Sequence, residues 1–377
     1  MNMARFGFLS TYPPTRCGLA TFTESLSDAM VLPSDDAFIV RVMDEASPVA
    51  PHRKRGLPIS EMHNGDAASI SAAVRMLNTA DVVVVQHEYG IYGGPDGDEV
   101  LAVLARVDVP TVVVLHTVQE HPTAGQKRVL EEVVRLASAV VVMTETARAN
   151  LQSRYLVDSS AVRVIPHGVH PLKNIAPLPH PDRPIVLTWG LLGPGKGIEW
   201  AIQAFGKLKD LAPRPRYRVL GQTHPKVLAN DGDAYRDRLL ATVDALGLRS
   251  SITIDGRYLN PEALARNILV ADIVLLPYDS RIQVTSGVLA EAVAAGKPVV
   301  ATAFPHATEL LATGAGIVVP HEDSDAIAAA LRSILTDADA AATMARIARK
   351  VGRESTWPEV GQRFRTLALR LRATVAA

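Results

Sequence analysis

Residues 283–301, Q-V-T-S-G-V-L-A-E-A-V-A-A-G-K-P-V-V-A, combine free backbone donors with a carboxylate about one helical turn further on. Ser286 fits an N-cap, and Gly287 and Val288 leave first-turn amides open to an incoming anion. Glu291 supplies the carboxylate. Gly296 fits the position just past the helix end, and Pro298 bars continuation. Amides for a phosphate and a carboxylate for a neighbouring diol suit a nucleotide.

A second candidate is T-W-G-L-L-G-P-G-K-G-I-E-W, residues 188–200. A strand runs into a loop with Gly190, Gly193, Gly195 and Gly197, carrying Lys196. Such a loop can set a lysine ammonium on a diphosphate as a point charge. It is no Walker A loop, since no Ser or Thr follows the lysine. A solvated loop lysine is the plainer reading. The first strand–helix junction, residues 10–22, holds Gly18, where backbone can approach a ligand; it lacks G-x-G-x-x-G, and a purely structural turn competes. His87 and Glu88, His116 and His167 each follow an apolar run. Lone histidines are usually structural, but three at strand ends of one domain suggest a polar lining for a hydroxylated ligand. Their spacings match no zinc pattern, and the D-G-D pairs at 96–98 and 231–233, which could mimic a metal-binding D-x-D, sit in Gly-rich turns.

The elements that position these groups are legible as apolar runs: 38–43, 82–85, 111–115, 139–143 and 162–165, then 185–189, 217–220, 252–254, 273–276, 298–301 and 316–319. Continuous apolarity indicates strands buried on both faces of parallel sheets, with helices as crossovers. Residues 171–184 hold five prolines in fourteen and read as a linker. The expected plan is therefore an α/β chain of two doubly wound domains, 1–170 and 185–355, with the main cleft between them. A closing helix, 356–377, starts with T-W-P-E and carries Trp357, Val360, Phe364, Leu367 and Leu371 on one stripe. It should pack on the protein, with a return to the first domain as one route.

Bulk properties exclude several classes. At 377 residues the chain exceeds one compact core. With 39 basic and 39 acidic residues the formal charge is zero, which argues against nucleic acid as a partner. The cluster His52-Arg53-Lys54-Arg55 reads as a solvated loop, with contact to an anionic lipid or substrate as the minority reading. A single cysteine, Cys17, suits a reducing compartment. No apolar run approaches the roughly 20 residues that span a bilayer. The expected location is cytoplasmic, with peripheral contact at the inner membrane face as a further route.

In this order the segments resemble the family 4 glycosyltransferases, retaining enzymes of GT-B fold with two facing Rossmann-like domains. The likeness spans essentially the whole chain. It runs through the first loop at Gly18, H-T at His116-Thr117, and V-I-P-H-G-V at 164–169. Residues 190–197 look like the family's G-R-L-x-x-x-K-G. Residues 283–300 look like E-x-F-G-x-x-x-x-E-A-x-A-x-G-x-P-V-V, and Glu309 falls where the family has G-G-x-x-E. The resemblance implies that Lys196 holds the donor diphosphate, helped by amides of the Ser286, Gly287 and Val288 turn. Glu291 would accept from ribose hydroxyls, Arg257, Tyr258 and Leu259 would meet the base, and His116 would contact the transferred sugar. Gly18 would line the donor or acceptor pocket, with His87 and Glu88 on the acceptor side. The implied reaction moves a hexose from a UDP- or GDP-sugar to a sugar, glycan or glycolipid hydroxyl with retention, the leaving phosphate helping to deprotonate the acceptor. Neither a metal nor another cofactor is expected.

The sequence departs from the pattern at two chemical positions. Gln283 stands where the first glutamate of the pair belongs, and an amide cannot stabilise a cationic sugar as a carboxylate would. Leu191 replaces the arginine of G-R-L, leaving Arg281 or Arg257 to substitute. The glycine also falls one residue later than in the family. A non-catalytic nucleotide-sugar binder, an inactive transferase partner and a GT-B epimerase stay open beside the transferase.

Overall fold

The computed structural model describes residues 3–15, 17–44, 56–172, 175–176 and 178–375. The basic cluster at 52–55 lies outside the described residues. The chain divides into two compact units, one of Met1–Gly168 with Trp357–Ala377, the other of Val169–Thr356.

The first unit is a seven-stranded parallel sheet of β1 (Arg5–Ser10), β2 (Asp36–Met43), β3 (Ile59–His63), β4 (Val82–His87), β5 (Thr111–Leu115), β6 (Ala139–Val142) and β7 (Val162–Val164). Its helices are α1 (Gly18–Met30), α2 (Ala67–Leu77), α3 (Glu99–Leu104), α4 (Ala124–Leu136) and α5 (Glu145–Arg154). Strand order is β3-β2-β1-β4-β5-β6-β7. The V-V-V-V of β4 is fully buried because both faces of a central parallel strand are covered. Chain direction across the sheet reverses between β1 and β4, the place where such folds leave a crevice at the carboxyl ends of their strands.

The second unit repeats the plan with six strands: β8 (Ile185–Trp189), β9 (Arg216–Leu220), β10 (Ile252–Asp255), β11 (Ile273–Leu276), β12 (Val299–Thr302) and β13 (Gly316–Val319). Its helices are α6 (Ile198–Gly206), α7 (Pro225–Asp231), α8 (Ala234–Ala245), α9 (Pro261–Val270), α10 (Gly287–Ala294), α11 (Pro305–Leu311), α12 (Ser324–Thr336) and α13 (Ala338–Gly352). The order β10-β9-β8-β11-β12-β13 places the reversal between β8 and β11. Period-two alternation sorts the strand residues onto two cores. Val186, Tyr217, Val219, Ile273 and Leu275 face α6, represented by Ile198, Ile202 and Phe205. Ile185, Leu187, Trp189, Val274 and Leu276 face α10, represented by Leu289, Ala292 and Val293. The loops after β8 and β11 thus leave one sheet edge for opposite faces, and the groups they carry meet at its crevice.

The proline-rich stretch has no helix or strand among its described residues and falls in the second unit. His180 meets Asp272 at 3.0 Å. The Arg183 guanidinium donates to the carbonyls of Arg214 and Ser250 at 2.7 and 3.0 Å.

The last helix, α14 (Trp357–Val375), belongs to the first unit and packs on α1. Trp357, Val360, Phe364 and Ala368 join Phe22, Leu26 and Met30 in one core. Each large side chain so buried contributes roughly 2 kcal/mol. The approach is close: a Cβ on Gly361 would lie 2.6 Å from the backbone of Ala29. Arg365 forms a buried ion pair with Asp35, and burial is tolerated because Asp35 also accepts the backbone N–H of Leu32 and Ala4.

Candidate functional site

In the second unit the glycine loop after β8 is sewn to its neighbours by backbone bonds. Gly190 N–H donates to the Leu220 carbonyl at 3.0 Å and Leu192 N–H to that of Gln222 at 2.9 Å. On the other side Asp279 N–H donates to the Gly195 carbonyl at 3.0 Å. Gly197 is required here: its φ is +61°, and a Cβ would lie 1.7 Å from the Pro277 carbonyl oxygen. The tight loop sets Lys196 Nζ 4.4 Å from the centroid of the Tyr278 ring. Among the described residues Lys196 forms no ion pair. Burial pushes its ammonium below the usual lysine range. Tyr278 is itself stacked on Phe304 at 5.4 Å. A π face stabilises the cation without neutralising it, so its charge stays available to an anion.

The start of α10 lies beside this loop; a Cβ on Gly190 would sit 3.9 Å from Val288 Cγ2. Ser286 is the N-cap, its Oγ accepting the Leu289 N–H at 3.3 Å. The amides of Gly287 and Val288 lie in the first turn, where no helical carbonyl is positioned to receive them. Glu291 follows in the next turn. The Trp189 indole donates to its Oε2 at 3.1 Å. Burial pushes the Glu291 carboxyl above the usual range, and the indole bond opposes that shift. The loop ahead of α10 is fixed from α11: Ser286 N–H donates to His306 Nδ1 at 2.8 Å, and His306 N–H to the Gln283 carbonyl at 3.3 Å. Gln283 turns its side chain back, Nε2 donating to the Thr285 carbonyl at 3.1 Å.

Beside Trp189 is a slot of about 130 Å³, lined by Leu191, Leu220, Gln222, Tyr258, Leu259 and Leu264. Tyr258 and Leu259 thus stand on one wall of an apolar recess. Arg257 is exposed and committed to Asp255, with Nη2 2.6 Å from Oδ2 and Nε 2.9 Å from Oδ1. Arg281 is exposed and pairs loosely with Glu322 at 3.7 Å.

In the first unit the strand-end histidines converge. Phe22 packs edge-on against His116, His167 and Trp357, with centroids 4.8, 5.1 and 5.0 Å apart. His116 Nε2 lies 2.8 Å from Gln86 Oε1. Burial, then the neighbouring His167 and His87, push His116 down to about 3. Burial alone pushes His87 down to about 4, and burial against a weaker opposing bond to the Gly168 carbonyl holds His167 at about 4. His87 is 0% exposed, packs on Tyr89, and its ring nitrogens meet no partner among the described residues. Glu88 accepts from the Thr117 hydroxyl at 2.5 Å and the Tyr89 N–H at 3.1 Å, while burial pushes its carboxyl up. All three rings are neutral near pH 7, and none is a base poised for that pH. Gly18 opens α1 and is exposed, with nothing within 4 Å of where a Cβ would stand. A further hollow on this unit, about 780 Å³ and lined by Arg128, Leu136 and Leu156, sits at the opposite strand edge, away from the histidines.

Asp98 and Asp233 of the D-G-D turns are engaged, by Arg128 at 3.1 Å and the Thr223 hydroxyl at 2.9 Å. Among the described residues no three His, Cys, Asp or Glu side chains group to hold a metal, and no helix is long and apolar enough to cross a membrane. Trp189, Tyr278 and His306 contact Glu291, Lys196 and Ser286 and join the candidate site. The sequence signal for each was only its adjacency to a strand end or helix start.

Comparison with known proteins agrees with this layout. The profile described as Glycosyl transferases group 1 matches residues 173–351, and that of Glycosyltransferase Family 4 matches residues 28–171. The alpha-D-kanosaminyltransferase of Streptomyces kanamyceticus is 28% identical over 260 residues, 63% of this chain and 64% of that protein. The D-inositol 3-phosphate glycosyltransferase of Kineococcus radiotolerans is 30% identical over 280 residues, 65% of this chain and 62% of that protein. The chain thus spans under two thirds of the length of these relatives. Among solved structures, HepE of Anabaena in complex with UDP and glucose superposes with a TM-score of 0.76 at 16% identity, covering 97% of this chain and 100% of that one. At that identity the likeness is one of fold.

Proposed function

This chain belongs to the group 1 glycosyltransferases of family 4 and has their GT-B fold of two Rossmann-like domains, and from that premise we propose that it moves a hexose from a nucleoside-diphosphate sugar to an acceptor hydroxyl, with retention and without a metal ion. One observation carries this reading. A lysine ammonium without a carboxylate partner among the described residues, open helix amides and a buried glutamate share one crevice of the second unit.

The chemistry follows from those groups. As the bond from the anomeric carbon to the diphosphate breaks, negative charge grows on the leaving phosphate. Lys196 and the Gly287 and Val288 amides are preorganised to stabilise it. Glu291 accepts from the ribose diol, and the slot at Tyr258 and Leu259 takes the base. The acceptor oxygen attacks on the face the diphosphate leaves, and a phosphate oxygen takes the acceptor proton. The depressed basicity of His87, His116 and His167 supports giving that task to the phosphate. His116 and Glu88 are assigned to hydroxyls of the sugar and acceptor as hydrogen-bond partners; His87, expected on the acceptor side, is 0% exposed and out of reach of either. UDP in the HepE complex makes a UDP-sugar the first donor to test.

A second reading has its own observation. Gln283 is neutral and turned onto the Thr285 carbonyl, which favours a nucleotide-sugar binder without turnover. Incubation with UDP-glucose or GDP-mannose, with and without hydroxylated acceptors, separates the readings. Acceptor-dependent release of nucleoside diphosphate is expected. Binding without turnover would leave a binder, and conversion without acceptor an epimerase.

A further inference from the structure

Trp189 ends β8, and Glu291 lies 102 positions later in α10, yet the indole Nε1–H meets Glu291 Oε2 at 3.1 Å. Trp189 is 4% exposed and also lines the slot shared by Leu220, Tyr258, Leu259 and Leu264. One residue therefore joins the recess to the carboxylate. An indole N–H can only donate, so it holds Glu291 as an acceptor and fixes which oxygen stays free. A bond from an uncharged donor to a carboxylate in a buried place is stronger than the same bond in water.

We infer that Trp189 is a positioning residue for the nucleoside: its N–H aims Glu291 at the ribose diol while its ring backs the base, so that the two recognitions depend on each other. This rests on the donor-site reading above. A merely structural tryptophan, filling the core with Leu276, Leu289 and Val293, would support neither dependence.

The test is calorimetric binding of UDP and of 2′,3′-dideoxy-UDP, with GDP and its dideoxy form in parallel. Trp189→Phe keeps a ring on the slot and removes the donor. It should weaken UDP or GDP about tenfold, the low end for a hydrogen bond to a charged group, and leave the dideoxy forms unchanged. The acid limb of nucleotide binding should move to higher pH, because Glu291 loses the bond that favours its ionised form. On a Glu291→Ala background, which leaves no acceptor for the indole, Trp189→Phe should add nothing. Equal losses for ribose and dideoxy nucleotides, an unmoved pH limb, or additive losses in the double variant would each overturn the inference. Wild-type protein that binds neither UDP nor GDP would overturn the donor-site reading itself, and the inference with it. If Trp189→Phe fails to fold, the wild type still decides. One of its three indole N–H resonances should titrate with the midpoint of the acid limb, and three resonances that do not titrate overturn the inference.

Discussion

Lowering the pH should weaken the first unit, and His87 allows the size of the effect to be worked out. Its ring is 0% exposed, has no hydrogen-bond partner among the described residues, and is pushed by burial down to about 4. In the unfolded chain the same ring titrates near about 6.5. A depressed folded value means stability that is present above the unfolded value and lost as pH falls toward the folded one. At about pH 5 the unfolded chain holds nearly a full proton at this ring and the folded chain about a tenth of one. The folded state is then about 2 kcal/mol less favoured than at about pH 8. His116 and His167 add loss in the same sense. Glu88, pushed up by burial, works in the opposite sense, so the informative quantity is a difference between variants. His87→Leu removes the titrating group at similar volume. Hydrogen exchange of β4 and β5 peptides, followed against pH, isolates this unit. The wild type should lose protection between about pH 6.5 and 4, and His87→Leu should lose about 2 kcal/mol less of it. Parallel pH profiles for the two proteins would refute the reasoning.

Three further outcomes are expected. Lys196→Met should weaken nucleoside-diphosphate binding by about 10- to 100-fold, as expected for losing a charge-assisted contact, without lowering the melting temperature of the free protein, because the lysine is desolvated there; calorimetry and thermal denaturation read the two. Gln283→Glu restores the family's carboxylate but removes the donor to the Thr285 carbonyl and sets two acceptors against each other, so turnover should fall; a gain in kcat would show that the loop contact is dispensable. Gly361→Val drives a side chain into the Ala29 backbone and should destabilise the first unit by about 1–3 kcal/mol, seen as faster exchange in α1 with α10 unchanged.

What the sequence made legible was whatever repeats locally. The V-V-V-V of β4 and the I-V-L-L of β11 are buried on both faces and read as central strands. The cap at Ser286 and the positive φ of Gly296 at the end of α10 follow from the same short-range logic. By contrast β3, I-S-E-M-H, is an edge strand with no apolar run to reveal it. The candidate site was legible as a set of loops but not as contacts. Trp189 with Glu291, His306 with Ser286 and Lys196 with Tyr278 pair residues far apart in sequence, and no periodicity links such positions. Arg257, an attractive base contact by position, is held by Asp255 two residues earlier, a neighbour whose sign was visible but whose geometry was not.

The docking of α14 on α1 also orders the birth of the protein. During synthesis from the amino terminus, Phe22, Leu26 and Met30 emerge with the first strands, while Trp357, Val360 and Phe364 emerge after the whole second unit. The second unit can therefore close its own cores first, as an insertion matured inside an unfinished host. Until α14 leaves the ribosome, the first unit carries a bare apolar stripe on α1. In that interval, rather than in the finished fold, the stripe is open to off-pathway contacts.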